Sequence, residues 1–278
     1  MWKFLADEHP VGKENAASLY RTGFLKAKTA NTLKDSRVCD PLSIQQSRQC
    51  DNTMLQEHFD QGSPQDLNYP NRWPDEGVLP GFREFMENWY EKMEAAAGRL
   101  MEALEEAFQL PPGSFLNKMT HEKNASEARL LHYPAIDMAE IKQGGVSRIW
   151  PHFDLGVITL LFQDGVGGLE CEDRTRSDKF LGVGSNSQSE MVVNVSETLQ
   201  RWTNGSVPAG LHRVTVPKRF EERGCGMVPE RFSVTYFCKA DRDANVGALP
   251  QFVSNGCPAK YEEMTAIEYH QSRLKSAY

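Results

Sequence analysis

The chain has 278 residues, of which 40% are hydrophobic and 25% charged, so it can bury a sizeable core and is not expected to be disordered. A net charge of -7 at pH 7 argues against a general affinity for nucleic-acid phosphates. No apolar run approaches the roughly 20 residues of a membrane helix, and the N-terminus turns acidic too early for a secretory signal, so we expect a cytoplasmic protein without nucleic-acid or membrane partners.

The six cysteines are widely scattered, and no two of them form a Cys-x-x-Cys pair. This spacing argues against a zinc ribbon or a thioredoxin-like site and favours small thiols in a reducing compartment. The chain also lacks an internal repeat, which argues against a solenoid or a propeller.

The first clear element is a long amphipathic helix. Residues 1–78 are polar and irregular, with a weak helical pattern at 14–25. From Leu79 onward, large apolar residues recur at three- and four-residue spacing between charged ones, until Pro111-Pro112-Gly113 ends the pattern. The solvated face of this helix is expected to carry three glutamates, Glu102, Glu105 and Glu106.

After about residue 127 the pattern changes to short runs rich in Val, Ile, Thr, Phe and Tyr, most of them separated by Gly, Asn, Asp or Pro. Such spacing is typical of an antiparallel barrel or a double-sheet jelly roll. Strands are predicted at 129–133, 147–150, 157–163, 168–171, 180–183, 191–195, 212–216 and 231–238. The last segment, 261–274, returns to a helical pattern. A helical N-terminal part is therefore predicted to pack against a β-roll, with a closing helix.

Two histidines and an aspartate form a candidate metal site. His152 and Asp154 lie two residues apart, so in extended backbone both side chains point to one face. His212 begins a later strand that a β-roll can return beside the first. Two imidazoles and one carboxylate on one side of an octahedral ion leave the other side open, as non-haem Fe(II) oxygenases require. A His-x-Asp triplet alone is common by chance, and a polar pair at a strand end is the plain alternative.

A second pair of side chains strengthens the metal hypothesis. Arg231 and Ser233 also lie two residues apart on a predicted strand. A guanidinium fork beside a hydroxyl is a good receptor for a carboxylate, because the fork matches both oxygens in one plane. A metal site and a carboxylate receptor on one roll together indicate a small dicarboxylate that chelates the metal through its other end.

The sequence resembles the isopenicillin-N-synthase-like branch of the Fe(II)/2-oxoglutarate oxygenases over roughly residues 56–275. The similarity rests on these motifs, found in the family's order: His152-Phe153-Asp154-Leu155-Gly156, Gly167-Gly168-Leu169-Glu170, Leu199-Gln200-Arg201-Trp202-Thr203-Asn204-Gly205, Leu211-His212-Arg213-Val214 and Pro229-Glu230-Arg231-Phe232-Ser233. The resemblance implies an α+β fold with a double-stranded β-helix (jelly-roll) core. One domain, 1–278, would comprise a mostly helical or irregular part at 1–126, the jelly-roll core at 127–240 and a C-terminal extension with a helix at 241–278.

The resemblance also implies a role for each site residue. Iron(II) would be held by His152, Asp154 and His212. The distal carboxylate of 2-oxoglutarate would be bound by Arg231 and Ser233, with a further hydrogen bond from Tyr133. O2 would be the second co-substrate.

Two departures from the family pattern concern the pocket and a loop. Leu131 and His132 replace the Asn and the first Tyr of the family's Arg-x-Asn-Tyr-Tyr-Pro signature, and the strand pattern leaves the direction of His132 open. The segment before Arg231 is longer than in plant members, and its extra part, 218–228, is expected to form a surface hairpin.

The implied function is oxidation of a small-molecule metabolite, coupled to conversion of 2-oxoglutarate to succinate and CO2. Hydroxylation is the commonest outcome, and ring expansion, desaturation, cyclisation and demethylation begin with the same hydrogen abstraction. Blocks at 71–74 and 79–83 are similar to fungal and bacterial members and suggest specialised metabolism. The alternatives are a family oxidase that does not use 2-oxoglutarate, and a degenerate roll that only binds a partner.

Overall fold

The computed structural model of the protein describes residues 53–54, 56–120, 123, 125–142, 146–176, 179–184, 187 and 189–276. A long helix and two antiparallel sheets dominate this described part. The helical pattern predicted at 14–25, and with it Cys39 and Cys50, lies outside the described residues. None of the described helices is long and apolar enough to cross a membrane.

The elements of the described chain alternate between short strands and mostly short helices. The strands are β1 Thr53–Met54, β2 Glu57–Gly62, β3 Glu127–Tyr133, β4 Ile136–Asp137, β5 Val146–Ser147, β6 Ile149–His152, β7 Ile158–Gln163, β8 Leu169–Glu172, β9 Phe180–Gly182, β10 Val192–Val195, β11 His212–Val214, β12 Met227–Val228 and β13 Arg231–Cys238. The helices are α1 Phe82–Ala107, α2 Met138–Lys142, α3 Glu197–Trp202, α4 Lys218–Glu221 and α5 Ala266–Ser276. The long helix and the principal strands thus lie where the periodicity predicts them, and Arg231–Cys238 matches to the residue.

Two sheets form the roll. The five-stranded sheet has the order β10-β7-β13-β3-β2, and the four-stranded sheet has the order β6-β11-β8-β9. All pairings within these two sheets are antiparallel. Leu131 and Leu161 of the first sheet share a small apolar cluster with Leu169 and Val214 of the second, so the inner faces of the sheets meet there.

Helix α1 covers the outer face of the five-stranded sheet. Its apolar stripe, which includes Met86, Trp89 and Met101, belongs to the same buried cluster as Leu130 of β3 and Tyr236 of β13. Burying each large side chain in this way stabilises the folded state by about 1.5–3 kcal/mol relative to leaving it exposed. The opposite face of the sheet is therefore left free to face the second sheet and to carry polar groups.

The prediction for Glu105 is wrong. Glu102 and Glu106 are exposed, but Glu105 is only 4% exposed. Its carboxylate accepts backbone hydrogen bonds from Gly113 (2.7 Å), Phe115 (2.6 Å) and Leu116 (3.1 Å). The chain turns back after the helix, and its free N–H groups reach a carboxylate that helical spacing alone puts near the solvated side.

The segment 218–228 also differs from the predicted surface hairpin. It contains α4 and β12, and β12 pairs with β4. Phe220 and Val228 are buried in a small cluster with Ile136, Met138 and Val216. A charged sequence with two well-placed apolar residues thus forms a small packed part of the fold rather than a loop.

Helix α3 was not predicted, and it ties the C-terminal extension to the roll. The Arg201 guanidinium donates to the carbonyls of Val246 (2.8 Å) and Glu262 (2.6 Å). Trp202 is fully buried and stacks on Phe115 with the ring centroids 5.7 Å apart. Asn204, at a positive φ of 50°, donates to the carbonyls of Phe252 and Pro258, both at 3.1 Å. Much of the motif at 199–205 therefore serves structure.

Candidate metal and co-substrate site

The structure brings His152, Asp154 and His212 together. Each offers one ligand atom, and these atoms lie within 4.8 Å of one another. His152 ends β6 and His212 begins β11, and the two residues are direct partners in the antiparallel ladder. Their ring centroids are 4.2 Å apart, and the Nε2 atoms lie 3.7 Å and 3.8 Å from the Asp154 carboxylate oxygens.

Backbone carbonyls fix the tautomer of both imidazoles. His152 Nδ1 lies 2.9 Å from the Trp150 oxygen, and His212 Nδ1 lies 3.0 Å from the Gly210 oxygen. A carbonyl can only accept, so each Nδ1 carries the hydrogen, and in the neutral ring each Nε2 keeps its lone pair. Both lone pairs are therefore available on the side of Asp154, the arrangement that metal-binding histidines use.

Asp154 is held in its ionised form. Its side chain is buried, and Oδ2 accepts hydrogen bonds from Thr159 Oγ1 (2.7 Å) and Asn194 Nδ2 (3.0 Å). Burial raises the pKa of this carboxyl. His212, His152 and the two hydrogen bonds together lower the pKa by more than burial raises it, so it lies below its usual value. The carboxylate is thus fixed in orientation and ready to act as a ligand.

The start of helix α3 fixes the loop that carries Asp154. The backbone N–H of Glu197 donates to the carbonyl of Asp154 (2.8 Å), and the N–H of Thr198 donates to that of Gly156 (2.9 Å). These are N–H groups of a first helical turn, which have no partner inside the helix. A Cβ on Gly210 would collide with the Asn194 amide oxygen, so glycine there lets Asn194 reach Asp154.

The carboxylate receptor lies on the inner face of the five-stranded sheet. Arg231 and Ser233 lie two residues apart on β13, so their side chains point to the same face, and Arg231 pairs with Tyr133 of β3. Arg231 is 0% exposed; Nη1 lies 3.2 Å from Ser233 Oγ, and Nη2 donates to Gln163 Oε1 at 3.0 Å. The guanidinium carbon is 4.9 Å from the Tyr133 ring centroid. The three predicted residues are therefore adjacent.

One donor in this receptor has no acceptor. Within the described chain, Arg231 Nε is buried without a hydrogen-bond partner, and the guanidinium hydrogen bonds that are present go to the neutral groups of Ser233 and Gln163. A buried, unpaired cation costs several kcal/mol, so its retention indicates that an anion belongs beside it. The distal carboxylate of 2-oxoglutarate fits this requirement, since it would satisfy the fork and the charge together.

His132 faces away from the receptor. It pairs with Phe232, whereas Tyr133 pairs with Arg231, so the two pairs lie on opposite faces of the sheet. His132 stacks on Phe232 with the ring centroids 4.6 Å apart, and its two nitrogens contact Glu57 (2.9 Å) and Glu230 (3.2 Å). The direction that the sequence pattern left open is thereby decided in favour of packing.

Sequence reasoning missed four polar residues at the site. Three support the named groups, namely Thr159, Gln163 and Asn194. The fourth, Arg148, lies beside the receptor. Thr159 and Gln163 are the two polar residues of the otherwise apolar strand β7, and their spacing of four residues puts them on one face, which could have marked them. Asn194 gave a similar signal within Val192–Val195.

A row of residues continues from the two histidines to the edge of the four-stranded sheet. His212 pairs with Cys171, and Cys171 pairs with Leu181. Directly paired residues share a face, so these side chains lie on the side of the sheet that carries the imidazoles. Leu181 is 55% exposed, and burial raises the pKa of the Cys171 thiol. This row forms an open, largely apolar border beside the three candidate ligands.

The donor set suits iron(II). Two imidazole nitrogens and one carboxylate oxygen approach one point from one side. Each imidazole donates a hydrogen bond to a backbone carbonyl, and the carboxylate accepts one from Thr159. Such sets are diagnostic of non-haem Fe(II) centres with open positions for other ligands. Among the described residues, no other cluster of three ligand side chains could hold a metal ion.

Comparison with known proteins agrees with this geometry. A family model described as the 2OG-Fe(II) oxygenase superfamily matches residues 125–240. The chain is 47% identical to the 2-oxoglutarate-dependent dioxygenase phqC of Penicillium fellutanum over 268 residues, which is 96% of this chain and 70% of the relative. It is 44% identical over 225 residues to the proline hydroxylase buaE of Petromyces alliaceus, covering 81% of this chain and 69% of the relative.

A solved structure agrees at the level of the fold. A full-length protein of Neurospora crassa, solved in complex with alpha-KG and thymine, superposes with a TM-score of 0.75 at 26% identity. The match covers 98% of this chain and 86% of the Neurospora chain. The predicted jelly-roll architecture is therefore confirmed.

Proposed function

The chain belongs to the 2OG-Fe(II) oxygenase superfamily and is a 2-oxoglutarate-dependent dioxygenase, and from this premise we propose which of its residues do the work. His152, Asp154 and His212 hold iron(II). Arg231 and Ser233 bind the distal carboxylate of 2-oxoglutarate. The enzyme oxidises a small-molecule metabolite and releases succinate and CO2.

One observation carries the proposal: a preorganised His-Asp-His cluster shares the interior of the roll with a buried arginine that has no anionic partner among the described residues. The cluster draws on β6, β11 and the loop after β6, whereas Arg231 lies on β13 of the other sheet. The apolar cluster of Leu131, Leu169 and Val214 joins the two sheets. A ligand with one metal-binding end and one carboxylate end would use both.

The chain's own residues orient the reactants. When bound, iron supplies the activation of O2 that the oxidation requires. The Arg231 fork and the Ser233 hydroxyl orient the co-substrate, and Tyr133 donates a further hydrogen bond to it. The Tyr133 ring also lies against the Arg231 guanidinium and limits the movement of that group. The apolar cluster between the sheets excludes water from the interior, which strengthens the ionic contact.

We place the substrate among compact, nitrogen-containing ring compounds of specialised metabolism. A proline hydroxylase is among the relatives, and the similar Neurospora crassa structure holds thymine. Proline and thymine are both small rings with a nitrogen. The apolar border of Cys171 and Leu181 suits the carbon face of such a ring.

Succinate release tests this substrate class. Proline, pipecolate, thymine and uracil are compared with open-chain valine and glutamine for their ability to stimulate conversion of 2-oxoglutarate. We expect stimulation above the substrate-free rate from at least one ring compound and from neither open-chain control. Stimulation by the open-chain compounds alone would overturn the proposed class.

The metal assignment is tested by binding rather than by turnover. His152→Ala, Asp154→Ala and His212→Ala are each expected to lose tight binding of Mn(II), used as a redox-inert probe, because two ligands hold the ion loosely. Asp154→Glu should also be severely impaired, since one added methylene displaces the oxygen. His270→Ala, outside the site, is the control. Native Mn(II) affinity in any of the three alanine variants would remove that residue from the site.

A further inference from the structure

A second buried arginine lies beside Arg231. Arg148 is 1% exposed and immediately precedes β6. Its Nη2 donates to the carbonyl of Pro229 and lies 3.5 Å from that of Pro134. Pro134 follows Tyr133, the last residue of β3, and Pro229 comes two residues before Arg231, the first residue of β13. Arg148 therefore connects the ends of the two strands that carry the receptor.

The rest of the Arg148 guanidinium is unused. Nε and Nη1 are buried, and neither finds a hydrogen-bond partner in the described part of the chain. The guanidinium carbons of Arg148 and Arg231 lie 6.0 Å and 4.9 Å from the same Tyr133 ring centroid. Two buried cations thus share one aromatic ring.

Neither cation is neutralised by a carboxylate among the described residues. The carboxylate that most affects Arg148 is that of Asp164, which acts less strongly than the Tyr133 phenol and already accepts from the N–H groups of Phe232 (2.6 Å) and Val166 (2.9 Å). Burial first, and then the charge of Arg231, lower the pKa of Arg148 to about 10, so it is still a cation at neutral pH. Two buried cations with neutral partners repel each other, and an anion bound beside them relieves that cost.

We propose that Arg148 is the second cation of the co-substrate receptor and makes it selective for a ligand with a carboxylate at its distal end. Arg231 and Ser233 make the direct contact. Arg148 adds a positive charge beside them and holds the end of β3, at Tyr133, next to the start of β13, at Arg231. The inference rests on the proposed role of Arg231, and it deepens that role.

A purely structural Arg148 predicts a different pattern of effects. Bonds to two carbonyls require only a donor, which a neutral side chain can supply. Selectivity between a carboxylate and a methyl group requires the charge. The two roles therefore separate when affinities for 2-oxoglutarate and for 2-oxopentanoate are compared, because the latter ends in a methyl group in place of the distal carboxylate.

The test is calorimetric titration of both 2-oxo acids into the full chain loaded with Mn(II). Arg148→Gln should raise the Kd for 2-oxoglutarate by roughly 10-fold or more, as loss of an interaction with a charged group does. The Kd for 2-oxopentanoate should change far less, so the selectivity falls. Arg148→Lys should keep most of the selectivity. The matched control is Arg219→Gln, since Arg219 is exposed and its Nη2 also donates to two carbonyls, those of Gly165 and Val166.

Each outcome of the titration either supports or overturns the proposed role of Arg148. An equal rise in both Kd values for Arg148→Gln, or no rise, overturns the proposal. Where Arg148→Gln does not fold, loss of selectivity in Arg148→Lys at an unchanged Tm overturns it, and retained selectivity supports it. A wild-type chain that does not prefer 2-oxoglutarate, or Arg231→Lys with unchanged affinity, would instead overturn the receptor itself, independently of Arg148.

Discussion

At the scale of single residues, the proposed metal site depends on side chains that are not themselves candidate ligands. Thr159 and Asn194 both donate to the same oxygen of Asp154. Without them the carboxylate would be free to rotate, and a ligand that rotates binds a metal less tightly.

We therefore expect Asn194→Ala and Thr159→Val to weaken Mn(II) binding by about 10- to 100-fold, the usual effect of removing a partner that orients a metal ligand. Isothermal titration measures the affinity, and a melting curve verifies folding. Asn88→Ala, on the exposed side of α1, is the matched control and should bind as the wild type does. Wild-type affinity in both site variants would show that Asp154 needs neither partner.

The co-substrate receptor makes a separate prediction. Arg231→Lys keeps the charge but loses the planar fork, and Ser233→Ala removes one hydrogen bond. Losing such a bond costs about 1.5–3 kcal/mol, so the Kd for 2-oxoglutarate should rise roughly 10- to 150-fold, more for Arg231→Lys. Mn(II) affinity should stay unchanged. If Arg231 were only structural, Tm would fall while 2-oxoglutarate affinity remained constant.

At the scale of elements, Glu105 closes the turn after α1. Its buried carboxylate accepts from three backbone N–H groups, those of Gly113, Phe115 and Leu116. The end of the helix is thus held by a residue about ten positions before the turn that it stabilises.

Replacing Glu105 with alanine should lower the free energy of unfolding by about 2–4 kcal/mol, because buried donors lose a charged acceptor. Urea denaturation measures the change. Glu106→Ala is the matched control, since Glu106 is the exposed neighbour and its loss should cost less than about 0.5 kcal/mol. Equal effects in the two variants would mean that the helix, and not the turn, is being stabilised.

Much of the element map was predictable because it follows from local periodicity. Helix α1 shows as a 3.6-residue apolar repeat, and β13 as a period of two. Helices α2, α3 and α4 and strand β2 are among the elements that were missed. Helix α3 has six residues, too few for a periodic signal, and β2 pairs with β3 across more than sixty positions of chain, which no local window contains.

At the scale of the whole molecule, the C-terminal extension is bonded into the roll through Arg201, Trp202 and Asn204. The single-domain prediction for 1–278 implies that extension and roll unfold together. Asn204 makes several of these bonds. It adopts a left-handed backbone conformation with a φ of 50°, donates to the carbonyl of Phe252 and accepts from the N–H of Lys260.

Asn204→Ala should therefore lower the free energy of unfolding by about 2–3 kcal/mol and leave a single transition. Far-ultraviolet circular dichroism and tryptophan fluorescence, recorded together in urea, should give coincident curves. Asn255→Ala, exposed in the same extension, is the control. Two separated transitions would show that the extension is an independent unit.

The sequence by itself determined the parts of the site whose geometry is local. His152 with Asp154, and Arg231 with Ser233, are pairs at i and i+2, and extended backbone turns such pairs to one face. Arg231 and Ser233 lie on β13, whereas Asp154 lies in the loop after β6 that helix α3 holds in place. Only the tertiary structure decided which side chains meet them. The bonds of Thr159 and Asn194 to Asp154, the direction of His132, the burial of Glu105 and the approach of Arg148 to Arg231 all depend on strands and turns that are distant in sequence. Such contacts arise from the register between strands and from the path of the chain after a helix, and no local pattern of residues encodes either one.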